Sequence, residues 1–157
     1  MFSSSNQPVI APLPPEAGIP YGLLLLADPS KAMIDQYLST GYLYAARLNG
    51  ETIGVYVLVP AEPGCMEIKN IAVARAWQGK GIGRALLQHA CSEAAAKKAT
   101  RIRIATGNSS IGQLYLYQQA GFELTKLVKD FFTRHYPQPI VENGITCKHL
   151  LVLEKEL

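Results

Sequence analysis

The stretch IAVARAWQGKGIGRALL, Ile71 to Leu87, sets Gly79, Gly81 and Gly83 between a short apolar run and a run of helical periodicity. A strand, a backbone stripped of side chains and a helix, in that order, restrict the fold more than any other part of the chain. Without Cβ atoms, consecutive N–H groups can close on an anion, and the N-terminus of the following helix adds partial positive charge. Gln78 and Arg84 flank the glycines and Lys80 lies among them, which favours phosphate. The competing account is a tight turn that needs only backbone freedom. The phosphate pattern G-x-x-x-x-G-K-[ST] is not met, because position 74 is Ala and Lys80 is followed by Gly81. G-x-G-x-x-G fails as well. Position 84 is Arg, and an antiparallel hairpin upstream does not belong to a dinucleotide-binding fold.

That hairpin is the clearest local signal. Residues 42–48 and 52–59 are β-rich runs around Asn49-Gly50, a dipeptide that favours a two-residue turn. Before it, YGLLLLADPSKAMIDQYL reads as two short helices broken at Asp28-Pro29, with Asp28 or Ser30 able to cap the second. Residues 1–20, rich in Ser and Pro, form a weakly ordered lead-in or an edge strand around Val9 and Ile10. CMEIKNIAV is a strand ending at Val73. The helix after the glycines runs from about residue 83 to 98, with Leu86, Leu87, Ala90, Cys91 and Ala94 at helical spacing. RIRIATG is the next strand, and SSIGQLYLYQQA is a helix that Gly121 ends. FELTKLVKDFF and KHLLVLEKEL are two further strands. Between them, TRHYPQPIVENGITC holds two prolines and an Asn-Gly, and so long a connection is often functional. The order of elements predicts one domain over residues 1–157, a mixed α/β sheet with a long loop over 131–147.

Composition narrows the function. A net charge of +3 with scattered basic residues gives no footprint for nucleic acid, and no segment approaches a membrane span. The first residues lack the basic and apolar regions of a signal peptide. Cys65, Cys91 and Cys147 are odd in number and widely spaced, which fits a reducing cytoplasm rather than a disulfide framework. Neither they nor His89, His135 and His149 have metal-ligand spacing, so no metal is expected.

NIAVARAWQGKGIGRALL resembles the pyrophosphate-binding motif of the GNAT N-acetyltransferases, [QR]-x-x-G-x-[GA]. Gln78 takes the first place, and Gly81 and Gly83 take the two small positions. YQQAGF, Tyr117 to Phe122, is similar to the same family's Y-x-x-x-G-F. The order of elements agrees over residues 20–155, and the wording of DFFTRHYPQPIVENGI resembles a subgroup of small bacterial acetyltransferases.

The resemblance implies a mixed, splayed β-sheet with flanking helices, opening in a V between its fourth and fifth strands to hold acetyl-CoA. Ile71, Ala72 and Val73 would pair with the pantetheine arm, one of their N–H groups polarising the thioester carbonyl. Gln78, Gly79, Lys80, Gly81, Ile82, Gly83 and Arg84 would cradle the pyrophosphate. Tyr117 matches the residue that gives a proton to the departing thiolate, while Tyr115, about 200° round the helix, cannot share that role. Its alternative is a packing residue with a satisfied hydroxyl. Two positions depart from the family. Where an Asn commonly meets the cofactor this chain has Ser110, with Asn108 nearby, and either can supply the contact. Where some protein-acetylating relatives carry a catalytic Glu, position 105 is Ala, which weakens the case for ribosomal-protein N-termini as substrate. Glu67 is the first choice of base, against a plain surface carboxylate. Asp130, His135, Tyr136, Glu142 and Asn143 are candidates to border the acceptor, the alternative for their loop being a structural excursion or a homodimer contact. The expected activity is acetyl transfer to a primary amine of a small molecule or peptide. The competing reading is a non-catalytic acyl-CoA-binding regulatory module.

Overall fold

The computed structural model describes residues 6–157; of the expected lead-in, residues 1–5 lie outside the described residues. The remainder of the lead-in carries an edge strand, β1 (Val9–Pro12), paired antiparallel with β2 (Tyr42–Leu48). Two short helices follow β1, α1 (Tyr21–Ala27) and α2 (Lys31–Leu38). Of the two possible caps, Ser30 holds α2, its hydroxyl accepting from the Met33 N–H. Asp28 instead accepts the Ser30 N–H at 3.0 Å.

β2 turns into β3 (Glu51–Pro60) through Asn49 and Gly50, whose φ values of 52° and 80° are both left-handed. That pair of angles matches the right-handed twist of the strands it joins, which is why Asn-Gly is favoured there. Residues 53–59 of β3 are all buried, because helices cover both faces of the sheet at this point. Tyr56 and Leu58 pack with Leu86, Leu87 and Ala90 on one side. Val55 and Val57 pack with Leu24 and Ile34 on the other. The period of two along the strand divides one apolar run between two cores.

β4 (Cys65–Val73) lies antiparallel to β3 and leads through a short turn into α3 (Ile82–Ala96). β5 (Arg101–Gly107) and α4 (Ile111–Gln119) come next. Gly121, at φ 96°, ends α4 as expected. The sheet is completed by β6 (Glu123–Val128) and β9 (Leu150–Glu156), in the order β1-β2-β3-β4-β5-β9-β6. Only Cys65–Ile68 of β4 pair with β5, in parallel, opposite Arg101–Ile104. The register against β3 slips at the same place, Val57 facing Asn70 and Leu58 facing Ile68, so Lys69 is an extra residue. Such a bulge bends its strand and strengthens the local twist. Here it carries residues 69–73 away from β5 and splays the sheet.

Two expectations change. The strand expected to run through Phe132 stops at Val128. Asp130 adopts φ 58° and opens a short helix, α5 (Phe131–His135). The aromatic spacing explains it: Phe131 meets His135 at 4.5 Å between ring centroids, and Phe132 meets Tyr136 at 5.5 Å. These are i, i+4 pairs on one helical turn. The long loop also has structure of its own. Val141–Glu142 (β7) and Ile145–Thr146 (β8) form a small hairpin around Asn143 and Gly144, again with both φ values positive. Among the described residues no helix is long and apolar enough to cross a membrane.

Candidate active site

Two cavities meet at the splay, sharing Ile71 from β4 with Gln113 and Tyr117 from α4. The larger, about 560 Å³, is lined by Ile71, Ala72 and Val73 and by the turn into α3. Gly79 (φ 75°) and Gly81 (φ 86°) have left-handed backbones that disfavour a side chain, and a Cβ built on either would meet nothing within 4 Å. The glycines therefore answer to backbone shape and to an open concavity, not to a packed neighbour. α3 has no side-chain N-cap, so the N–H groups of its first turn face that concavity without an intrahelical acceptor. Gln78 lines the cavity, but its Nε2 donates to the Val73 carbonyl at 3.0 Å. It fixes the loop to the strand and occupies that carbonyl. Ile82, Gly83 and Arg84 also line this cavity, and Arg84 donates to Gln119 Oε1 at 2.7 Å. Lys80 is exposed and forms no part of either wall.

The smaller cavity, about 360 Å³, lies on the other side of Tyr117. Glu67 and Asn70 of β4, Ser110, Tyr136 and Glu142 line it, as does Asp28 from the α1–α2 connection. Tyr117 is 4% exposed, and burial pushes its hydroxyl above the ordinary tyrosine range. Tyr115 is 65% exposed and belongs to neither wall. Glu67 is paired with Lys69 at 3.5 Å and Arg103 at 3.9 Å. Arg103 is shared in turn with Glu62 and Glu154.

Neither Asn108 nor Ser110 lines the larger cavity. Asn108 Oδ1 accepts from the Lys148 and His149 N–H groups at 2.7 and 2.9 Å, and its Nδ2 donates to the Thr146 carbonyl. It clips the end of β5 to the chain entering β9 and lines neither cavity. Ser110 lines the smaller cavity and donates to Glu142 Oε1 at 2.9 Å.

Of the acceptor candidates, Tyr136 and Glu142 reach the cavity, while Asp130, His135 and Asn143 do not. His135 packs against Phe131 with its ring tilted, the Asp130 N–H donates to His149 Nδ1, and Asn143 donates to the Ser109 carbonyl. Sequence reasoning missed Asp28, Tyr37 and Asn70, which the fold joins in one network. Tyr136 and Tyr37 donate to Asp28 at 2.9 and 3.2 Å, and Asn70 Nδ2 donates to Tyr37 and to the Leu24 carbonyl, both at 2.9 Å. The only signal for Asp28 was its place before Pro29, which reads as a turn.

Residues 19–122 match the acetyltransferase (GNAT) family. The uncharacterized N-acetyltransferase YvbK of Bacillus subtilis (strain 168) is 48% identical over 137 residues, 87% of this chain and 88% of that one. A GNAT family acetyltransferase from Elizabethkingia anophelis, solved with acetyl-CoA bound, is 52% identical with a TM-score of 0.94, covering 96% of this chain and 99% of that one. An IAA acetyltransferase from Bacillus cereus ATCC 14579 is 47% identical with a TM-score of 0.92, over the same shares of the two chains. With its pyrophosphate motif, its splayed sheet and these relatives, the chain belongs to the GNAT family of acetyltransferases.

Proposed function

We propose that this protein transfers the acetyl group of acetyl-CoA directly to the primary amine of a small molecule or peptide, in the cytoplasm. The observation that carries the reading is Tyr117, set where the two cavities meet, with no described residue bonded to its hydroxyl. The residues present fit acetyl-CoA: an open, glycine-lined helix start suits a pyrophosphate, and an unpaired strand edge suits an amide-bearing arm. When bound, acetyl-CoA supplies an activated acyl group on a thiol whose pKa is near ~8.5.

The turn from Gln78 to Arg84 holds the pyrophosphate through backbone N–H groups. Ile71, Ala72 and Val73 present the edge that β5 leaves unpaired, and an N–H there stabilises charge on the carbonyl oxygen. The acceptor nitrogen reaches the carbonyl carbon from the smaller cavity; the new bond to nitrogen forms as the bond to sulfur breaks. Tyr117 donates a hydrogen bond to the developing thiolate and passes its proton as the thiol departs, regaining one through water from the newly acylated nitrogen. Its raised pKa keeps the hydroxyl protonated and makes complete transfer uphill, so the donated hydrogen bond is the larger part of its contribution. Glu67 takes the surplus proton of the ammonium through water. Three free cysteines agree with a reducing compartment.

Calorimetry with acetyl-CoA, followed by measurement of CoA thiol release with a panel of amines and IAA, tests the reading. Binding with turnover of an amine supports it. Binding without turnover of any acceptor would make the chain an acyl-CoA-binding module instead.

A further inference from the structure

The charges around the smaller cavity do not cancel. Glu67 is matched by Lys69 and Arg103. Asp28 and Glu142 have no cationic partner among the described residues. Asp28 is only 9% exposed and is held by uncharged donors: the Ser30 N–H and the hydroxyls of Tyr37 and Tyr136. The two serine hydroxyls that donate to Glu142 both use Oε1, at 3.2 and 2.9 Å. That leaves Oε2 free to accept. A second, independent feature is Asn70. It is 3% exposed, it lines the same cavity, and its Oδ1 has no hydrogen-bond partner. Buried acceptors are rarely left unmatched; Asp28 and Asn70 are buried, Glu142 is exposed, and the three line one space from three segments.

Resting on the proposed acetyl transfer to amines, the geometry points to an acceptor that carries a second positive charge, a small diamine or an amine with another cationic group. Its reacting nitrogen lies at Tyr117, and its second cation is received by Asp28 and Glu142. A buried carboxylate such as Asp28 is costly without a cation, and a ligand ammonium removes that cost while also donating to the open Oε2 of the exposed Glu142. A monoamine satisfies only one end. The cavity, about 360 Å³, lies near the lower end of small-ligand sites, which suits a short diamine.

Linear α,ω-diamines of three to six carbons and the matching monoamines provide the test. Their affinities are measured by calorimetry on the protein with CoA present, and kcat/KM is measured where acetylation occurs. The best diamine is expected to bind at least tenfold tighter than its monoamine. Asp28→Asn and Glu142→Gln should each remove most of that preference while leaving acetyl-CoA affinity unchanged. Equal affinity for diamines and monoamines across the series overturns the inference, as does a preference that survives both substitutions. Absence of turnover with every amine would count against acetyl transfer, whereas the diamine preference is read from binding alone.

Discussion

The two sides of the splay are built on different terms. The proposed cofactor side comes mainly from one continuous segment, Ile71 to Arg84, completed by residues of α1 and α4, and works through backbone: open N–H groups, left-handed glycines and a strand edge. The proposed acceptor side draws Asp28, Glu67, Tyr136 and Glu142 from four separate stretches and works through side chains. A backbone site tolerates exchange of its side chains but not added bulk. A side-chain site is the reverse, and it can be retuned one residue at a time without disturbing the cofactor. Tyr117 belongs to both sides and is therefore where the comparison is most easily broken.

Tyr117→Phe should have the largest effect. The ring keeps its packing against Phe122, 6.4 Å away, so fold and acetyl-CoA affinity should survive. The chemical step should slow by ~10²-fold, in both kcat and kcat/KM, because an interaction of the transition state is lost. Tyr115→Phe, on the exposed side of the same helix, should be near wild type. Burial moves the Tyr117 pKa upward, so the proton-bearing form persists to higher pH than for an exposed tyrosine. Wild-type kcat should therefore show no alkaline loss assignable to Tyr117 below pH ~10. A falling limb centred below that, present in wild type and absent in Tyr117→Phe, would keep Tyr117 as the donor but show that burial does not raise its pKa.

The difference between the two sides also explains what could be read in advance. The glycine spacing, the Asn49-Gly50 turn and the apolar period of α3 are local signals, and each lies within a few residues of what it determines. They placed β2 to α3 and the glycine turn between strand and helix closely. The acceptor wall depends on contacts such as Tyr136 to Asp28, 108 positions apart, which no periodicity reports. The bulge at Lys69, the event that opens the sheet, carries no glycine or proline signal in CMEIKNIAV, which reads as one straight strand. The small helix at Phe131 was legible in its i, i+4 aromatics. It lost to the β-propensity of FELTKLVKDFF, a weak preference that Asp130 overrides by turning left-handed.

Bulk at the helix start should come next in size. Gly83 lies inside α3 without a positive φ, and its built Cβ would touch Leu116 at an ordinary 3.4 Å. Gly83→Val should therefore fold, yet weaken acetyl-CoA about tenfold by narrowing the approach to the N–H groups. Gly81→Val should lose at least as much, but at φ 86° part of that loss is backbone strain. Unchanged acetyl-CoA affinity in Gly83→Val, measured by calorimetry, would show that the pyrophosphate lies elsewhere.

On the acceptor side Tyr136→Phe should raise KM for the amine roughly threefold to tenfold, the scale of one ordinary hydrogen bond, and leave acetyl-CoA affinity alone. It removes the hydroxyl that holds Asp28 and ties α5 to the α1–α2 connection. A matched loss of acetyl-CoA affinity would mean that the two sides are coupled through this strap, and the independence drawn above would fail.

The smallest effect should come from His135, although it lies between residues of the acceptor wall in sequence. Its ring rests on Phe131 at 4.5 Å and is absent from both cavity walls, one residue from Tyr136, which lines the smaller one. Adjacent positions on a helical turn point about 100° apart, so a single step along the chain exchanges the cavity for the outer surface. His135→Ala should therefore cost about 0.5–1.5 kcal/mol of stability at most, from the lost ring pair. It should change amine KM by less than about twofold, well under the value of one hydrogen bond. Lys80→Ala is its counterpart on the cofactor side, an exposed cation beside a backbone site, and should weaken acetyl-CoA only slightly and in a way that salt removes. Thermal unfolding together with KM for the best amine separates the outcomes for His135. A KM rise as large as that of Tyr136→Phe, with unfolding unchanged, would show that α5 turns its other face to the acceptor during turnover.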